Sequence, residues 1–315
     1  MKSANKKGLM ITAACILMVS IGFLAGCIEE DSDEKNLEWT DQTGSLLKLD
    51  ETPSRVVTLT PALTGIVVEL DAGGLLVGAD SVSVSENSGL DLETVSTWEG
   101  LDSEKLIEAG PDLVLMDKTL DITEASYQAV VSLSIPVYRA FPPDFDSVVE
   151  LIGVIGDILD KEEKAKEIGA DMMDRKEAVI DSVSDIAESD RPDVLYVTYY
   201  DGTSDPWVGT SSTFSGNLVE LAGGKNIIDN GEGVVIQVSV ETIIDRDPDV
   251  IITSQSSSWP TPSRDTIMDD ERWKDITAVK EDGVIDIEGN WIDRTGPDLI
   301  KGLEAIYEAF YPQPG

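Results

Sequence analysis

Short aliphatic and β-branched runs alternate with helically spaced apolar positions along most of this chain. Val56–Thr60 is a compact β-branched run, and from Pro61 to Leu70 the apolar spacing turns helical. Pro61 suits a first helical position, where a backbone N–H has no intrahelical partner to lose. Leu76–Ala79, Leu113–Met116 and Pro136–Arg139 are further strand-like runs, with helical stretches between them. Asp144–Leu159 (containing VVELIGVIGDIL) predicts a strong helix. Asp160 reads as the cap of a second helix from Lys161 to about Ala187, with Glu162 and Glu163 in its first turn. That helix would be roughly 40 Å long at 1.5 Å per residue. Met172, Met173, Val179, Ile180, Val183 and Ile186 give it an apolar side. The strand–helix alternation then resumes. Val194–Tyr199, Val250–Thr253 and Val284–Ile287 read as strands, Phe214–Ala222 as a helix stopped by Gly223-Gly224, and Pro297–Phe310 as a closing helix. Such alternation predicts an α/β fold: two Rossmann-like lobes with parallel sheets, joined by one long helix that acts as a rigid strut. Ligands of such sheets bind beyond the carboxyl ends of the strands.

The two halves also share a motif. Leu101–Leu115 reads LDSEKLIEAGPDLVL and Val238–Ile252 reads VSVETIIDRDPDVII. In each, a Glu stands seven residues before a Pro-Asp pair, and a buried-strand run follows. The unit predicts a short helix, a turn and a strand, and it puts Glu104 and Glu241 at matching places on two similar lobes. Two matching acids suit docking onto a two-fold partner. The same acids, in the first turns of helices, would also stabilise helix N-termini.

The N-terminus carries an address. Lys2, Lys6 and Lys7 precede an uncharged run from Gly8 to Gly26 that ends Leu24-Ala25-Gly26-Cys27. A basic start, an apolar middle and small residues before a cleavage point are the layout of a secretory signal. An uncleaved membrane anchor is the other reading of this run. Residues 28–38 (IEEDSDEKNLE) read as a solvated tether, and Trp39–Pro53 as a small hairpin turning near Gly44. The expected organisation is a signal peptide at 1–26, an acidic tether and hairpin at 27–53, an N-terminal lobe at 54–143, connecting helices at 144–190 and a C-terminal lobe at 191–315.

Charge and composition narrow the function. There are 61 acids against 23 bases, a net charge of −38. This argues against nucleic acid and against anionic lipid held by charge. It suits a salty environment, where a Debye length of about 3 Å at molar salt relieves self-repulsion. The chain has no His, which removes Ser-His-Asp triads and His-rich metal cages, so no resident metal or cofactor is expected. The only cysteines are Cys15 and Cys27; the body lacks both disulfides and the ligands of an iron–sulfur cluster. No G-x-S-x-G occurs, and a hydrolase has nothing to stand on.

Five stretches resemble one family: VVTLTPALT (56–64), EKLIEAGPDLVL (104–115), STFSGNLVELAGGKNI (212–227), VSVETIIDRDPDVII (238–252) and NWIDRTGPDLIKGLEAIYEAFYP (290–312). Together they resemble the extracellular solute-binding proteins of ABC importers, in the class with two α/β lobes bridged by one long helix. Members bind cobalamin, ferric siderophores or haem. VSTWEGLDSEKL (95–106) and NWIDRTGP look most like the cobalamin-binding branch, whereas Asp80–Ser88 (DSVSVSENS) lacks the aromatics that branch carries there. The resemblance implies a monomer that presents a pre-formed metal chelate, a corrinoid first and a ferric siderophore or haem as alternatives, to a permease dimer with its ATPase. It implies that Glu104 and Glu241 pair with permease arginines and that Trp98, Trp207 and Trp291 line the cleft. LAGC resembles the lipobox of secreted lipoproteins, with Cys27 lipidated and the body on the extracellular face of the membrane. A surface sensor or adhesion module on the same fold is a further reading.

The residue types suit those roles. Tryptophan faces cover macrocycles and catechol-type chelates. One of Tyr199 and Tyr200, at a strand end, is expected at the cleft, as are Thr60 and Pro61 at a strand-to-helix turn. Arg139 and Arg294 stand out among so few bases and are expected to meet anionic groups of a ligand.

Overall fold

A computed structural model of the chain describes residues 37–118, 121–229, 235–255 and 264–312. The signal run and Cys27 lie outside the described residues. A hairpin of β1 (Glu38–Thr40) and β2 (Leu46–Lys48) comes first, turning at Gly44 with φ +86°. It is pinned to the rest of the chain: Trp39 donates to Asp157, and the backbone N–H groups of Arg139 and Phe141 donate to Asp41 and Gln42.

The first lobe holds β3 (Val56–Thr58), α1 (Pro61–Glu69), β4 (Leu76–Asp80), α2 (Ser81–Glu86), β5 (Glu93–Thr97), β6 (Gly100–Leu101), α3 (Ser103–Ala109), β7 (Leu113–Asp117), α4 (Asp121–Ser132) and β8 (Val137–Ala140). The sheet order is β6-β5-β4-β3-β7-β8, parallel except for the β5–β6 turn. The entirely buried β3 lies in its middle, as expected of a strand covered on both faces. Two helices follow, α5 (Phe145–Ile158) and α6 (Glu162–Ser184).

The second lobe has β9 (Asp193–Tyr199), β10 (Trp207–Val208), α7 (Phe214–Leu221), β11 (Lys225–Asn226), β12 (Ile236–Gln237), α8 (Val240–Arg246), β13 (Val250–Gln255), α9 (Arg264–Met268), α10 (Thr277–Lys280), β14 (Val284–Glu288), α11 (Gly289–Ile292) and α12 (Leu299–Phe310). Its sheet runs β12-β10-β9-β13-β14, with β11 also on β9. β9, β13 and β14 are parallel. The fold is therefore α/β with two such lobes. Among the described residues no helix is long and apolar enough to cross a membrane.

The strut differs from its sequence reading. α6 has 23 residues, about 34 Å, and Asp160 does not cap it. Asp160 instead takes a left-handed φ of +58°, and the Lys161 N–H donates back to the Gly156 carbonyl at 2.7 Å. That is the end of α5 closing on itself. Of the six apolar side chains expected along α6, Met172, Val179 and Val183 are buried, while Met173 and Ile180 are more than a third exposed. The buried trio joins one apolar core that runs from Leu63 and Leu115 through Leu151 and Met172 to Val194 and Leu303. Arg175 adds a two-point ion pair from α6 to Glu304 of α12, at 2.8 and 2.6 Å. The lobes thus share their interior through α5 and α6, which restricts their relative motion.

The repeated motif folds twice in the same way. α3 and α8 each have seven residues. Asp102 caps the first and Ser239 the second. Each stops at a left-handed residue, Gly110 (φ +56°) and Asp247 (φ +43°). The Asp of each Pro-Asp pair then holds the entrance of the neighbouring central strand: Asp112 accepts from the Arg55 N–H at 2.9 Å, and Asp249 from the Asp193 N–H at 2.8 Å.

Candidate ligand cleft

Parallel strands put all their carboxyl ends on one edge of a sheet, and α3 and α8, which lead into β7 and β13, run away from that edge to the strand entrances held by Asp112 and Asp249. The carboxyl edge of the first lobe meets the second lobe at a crevice formed by Pro61, Ala62 and Gly65 of α1 on one side and Asn290, Arg294 and Gly296 on the other. A Cβ on Gly296 would lie 3.7 Å from the Ala62 carbonyl oxygen, so a methyl group there would just span the crevice. Thr60, the residue before α1, keeps a buried hydroxyl oxygen without a hydrogen bond.

Aromatic side chains stand along both edges. Trp98, in the β5–β6 turn, is 64% exposed. Trp207 on β10 is 41% exposed and sits directly opposite Tyr199 in the antiparallel β9–β10 register, so their side chains share one face of the sheet. Tyr200 points the other way: it is buried, donates to Asp270 and accepts from the Trp273 indole at 3.1 Å. Tyr199 is half-buried. Trp291, on α11, is half-buried against the shared core. The sequence reading missed Phe141, at the end of β8. It is 45% exposed, with the Lys118 ammonium 5.9 Å from its ring centre. Trp98 and Phe141 mark opposite ends of the first sheet, four strand steps apart, or about 19 Å.

The two arginines expected to greet an anion are both committed. Arg139 is buried; it donates to Glu124 at 2.9 Å and lies 4.1 Å from the Tyr127 ring centre, both on α4. Its guanidinium is turned onto that helix. Arg294 donates twice to Glu86, at 2.8 and 2.7 Å, across the lobes. Beside it, Asp293 accepts a hydrogen bond from Tyr196. Burial raises the Asp293 pKa above the usual carboxylate value, against the opposing pull of the Tyr196 hydrogen bond and the Arg294 charge.

Glu104 and Glu241 are each the second residue of their helix, and both are exposed. Their helix N-termini lie on the carboxyl-edge side of the two sheets. Among the described residues no cluster of acids or cysteines is arranged to hold a metal ion.

Comparison with known proteins adds the relationship. A cobalamin-binding protein of Halobacterium salinarum is 28% identical over 276 residues, covering 86% of this chain and 73% of its own. An uncharacterized ABC transporter substrate-binding lipoprotein of Bacillus subtilis, YvrC, is 25% identical over 314 residues, 95% of this chain and 96% of its own. The fold matches the crystal structure of an ABC-type Fe3+-hydroxamate transport system from Saccharomonospora viridis, with a TM-score of 0.71 and 22% identity, over 88% of this chain and 99% of that one. Residues 56–290 match the sequence pattern of one family. The chain belongs to the periplasmic binding protein family, whose members are solute-binding proteins and not enzymes.

Proposed function

We propose that this protein is a lipid-anchored receptor on the extracellular face of the membrane that captures a metal chelate, a corrinoid in first place, and delivers it to an ABC import permease. The observation that carries the reading is the tryptophan surface at the carboxyl edges. Trp98 is 64% exposed and Trp207 41%, a costly display for large apolar side chains unless a flat apolar ligand covers them. Relatives named as cobalamin- or vitamin B12-binding proteins, from Halobacterium and Vibrio, support the corrinoid choice.

In this reading the lobes are residues 54–143 and 191–315, held by the helices of 144–190. The chelate enters between them, and Trp98, Trp207, Tyr199 and Trp291 cover its apolar faces, with Thr60 and Pro61 at the floor. Arg139 and Arg294 position neighbouring elements and do not reach the ligand. Glu104 and Glu241 each offer one acid to a two-fold permease. Cys27 carries the lipid, residues 28–36 are the tether, and the acidic surface serves in a salty medium. The protein acts as a monomer and makes or breaks no bond.

The test is a tryptophan fluorescence titration in high salt with cobalamin, cobinamide, ferric hydroxamates, ferric catecholates and haem. Saturable quenching by corrinoids at micromolar or lower concentration supports the proposal. Quenching by a ferric chelate or haem alone would move the ligand within the class, and no response to any of them would remove the chelate from the reading.

A further inference from the structure

The reading above leaves open what kind of chelate the cleft accepts, and the placement of the cations narrows it. Between residues 37 and 312 the sequence has nineteen Lys and Arg, and the segments 119–120, 230–234 and 256–263 contain none of them. Five stand by the carboxyl edges: Lys118, Arg139, Arg272, Arg294 and Lys301. Four of these already hold an acid. Arg139 pairs with Glu124 at 2.9 Å, Arg294 with Glu86 at 2.7 Å and Lys301 with Asp298 at 2.5 Å. Arg272 pairs with Asp270 at 2.8 Å and spends its other N–H groups on Tyr200 and on the Gly202 and Thr203 carbonyls. Lys118 makes no ion pair among the described residues; its ammonium rests near the Phe141 ring. Against that single cation, Glu99, Asp117 and Glu288 stand at the ends of β5, β7 and β14.

We infer that the cleft selects chelates of neutral or positive net charge and rejects polyanionic ones. This deepens the proposed chelate-binding role and rests on it. A ligand bearing several negative charges would face an edge with no surplus cation. To gain one it would have to break the two-point Arg294–Glu86 pair. A neutral or cationic complex meets neither cost, and it can also lie on the aromatic faces.

The test compares ligands of different charge within one chemical class: cobinamide and cobalamin against the polycarboxylate cobyrinic acid, and a neutral ferric trihydroxamate against a trianionic ferric tricatecholate. The full protein is titrated in KCl of 1 M or more, where a Debye length of about 3 Å removes the long-range repulsion of the net charge. In whichever class binds, the neutral or cationic member is expected to be favoured by about tenfold or more, which corresponds to about 1.4 kcal/mol. Glu86→Gln, which releases Arg294, should shrink that ratio about tenfold. Equal or tighter binding of the polyanion, or a ratio that Glu86→Gln leaves unmoved, overturns the inference while the chelate role stands. Failure of every probe to bind overturns both.

Discussion

Glu86 and Arg294, far apart in sequence, meet in a two-point ion pair of 2.7 and 2.8 Å that ties α2 of one lobe to the segment after α11 in the other. Both side chains are less than a third exposed, and a forked guanidinium–carboxylate geometry is the stronger form of such a pair. It adds a polar link between the lobes to their shared core. A double-mutant cycle with Glu86→Gln and Arg294→Gln, read by unfolding in 0.2 M salt, should give a coupling of about 1 kcal/mol. The coupling should fall as KCl rises towards molar strength. A coupling indistinguishable from zero at low salt would mean that the pair does not hold the lobes together.

The proposed docking acids make a separate prediction. Glu104 and Glu241 occupy the same position on two equivalent capped helices, and both are exposed. Glu104→Gln with Glu241→Gln should abolish stimulation of the cognate permease–ATPase in reconstituted vesicles. The chelate Kd should stay within about twofold, since the change is confined to exposed sites. Full stimulation by the double variant would return both residues to the plain task of stabilising helix N-termini.

The repeated Glu and Pro-Asp pattern was legible because it encodes local physics: a cap, a left-handed stop and an Asp that closes on backbone N–H groups, all within a few residues of each other. The central strands and α1 were legible for similar reasons. What was not legible depended on contacts distant in sequence. Ser81–Glu86 alternates like a strand, yet Asp80 accepts from the Val82 and Ser83 N–H groups and winds it into a helix. That helix carries Glu86, the partner of Arg294 across the lobes. Nothing near Arg139 in sequence announced Glu124 and Tyr127, and Phe141 lay beyond the strand end without a pattern to mark it. Asp160 was read as a start because its own φ, which makes it a stop, is set by the packing of α5 on α6.

Tryptophan position separates binding from stability. Trp98→Ala removes a side chain that is mostly in solvent and should change unfolding free energy by no more than about 0.5 kcal/mol. Chelate affinity should fall by about thirtyfold, the scale of an interface anchor. Trp273 has no exposed surface, and Trp273→Ala should cost about 3–5 kcal/mol of stability. If Trp98→Ala binds like the parent, the tryptophan surface is not the ligand's.

With a net charge of −38, the folded chain repels itself at low ionic strength more than the expanded chain does. Its Tm should therefore rise steadily between 0.1 and 2 M KCl. Sorbitol at matched osmolality should not reproduce the rise, because it leaves the Debye length unchanged. A Tm that is flat in KCl would detach the acidic composition from a salty habitat and leave it as a device for solubility.

Asp293 offers a pH signature. Burial raises its pKa in the folded protein, so the folded state binds that proton more tightly than the unfolded state. The sign follows: its contribution to stability is fully present below the unfolded value of about 4 and is lost as pH rises through the raised folded value. At neutral pH the ionised group is a burden that the Tyr196 hydrogen bond and the Arg294 charge offset only in part. Asp293→Asn keeps an acceptor for Tyr196 and carries no charge. Its Tm should exceed the parent's at pH 7.5, and the two should converge as the pH is lowered to about 4. A variant less stable than the parent at pH 7.5 would mean that the Arg294 attraction outweighs desolvation, and that the carboxylate is a third member of the ion pair between the lobes.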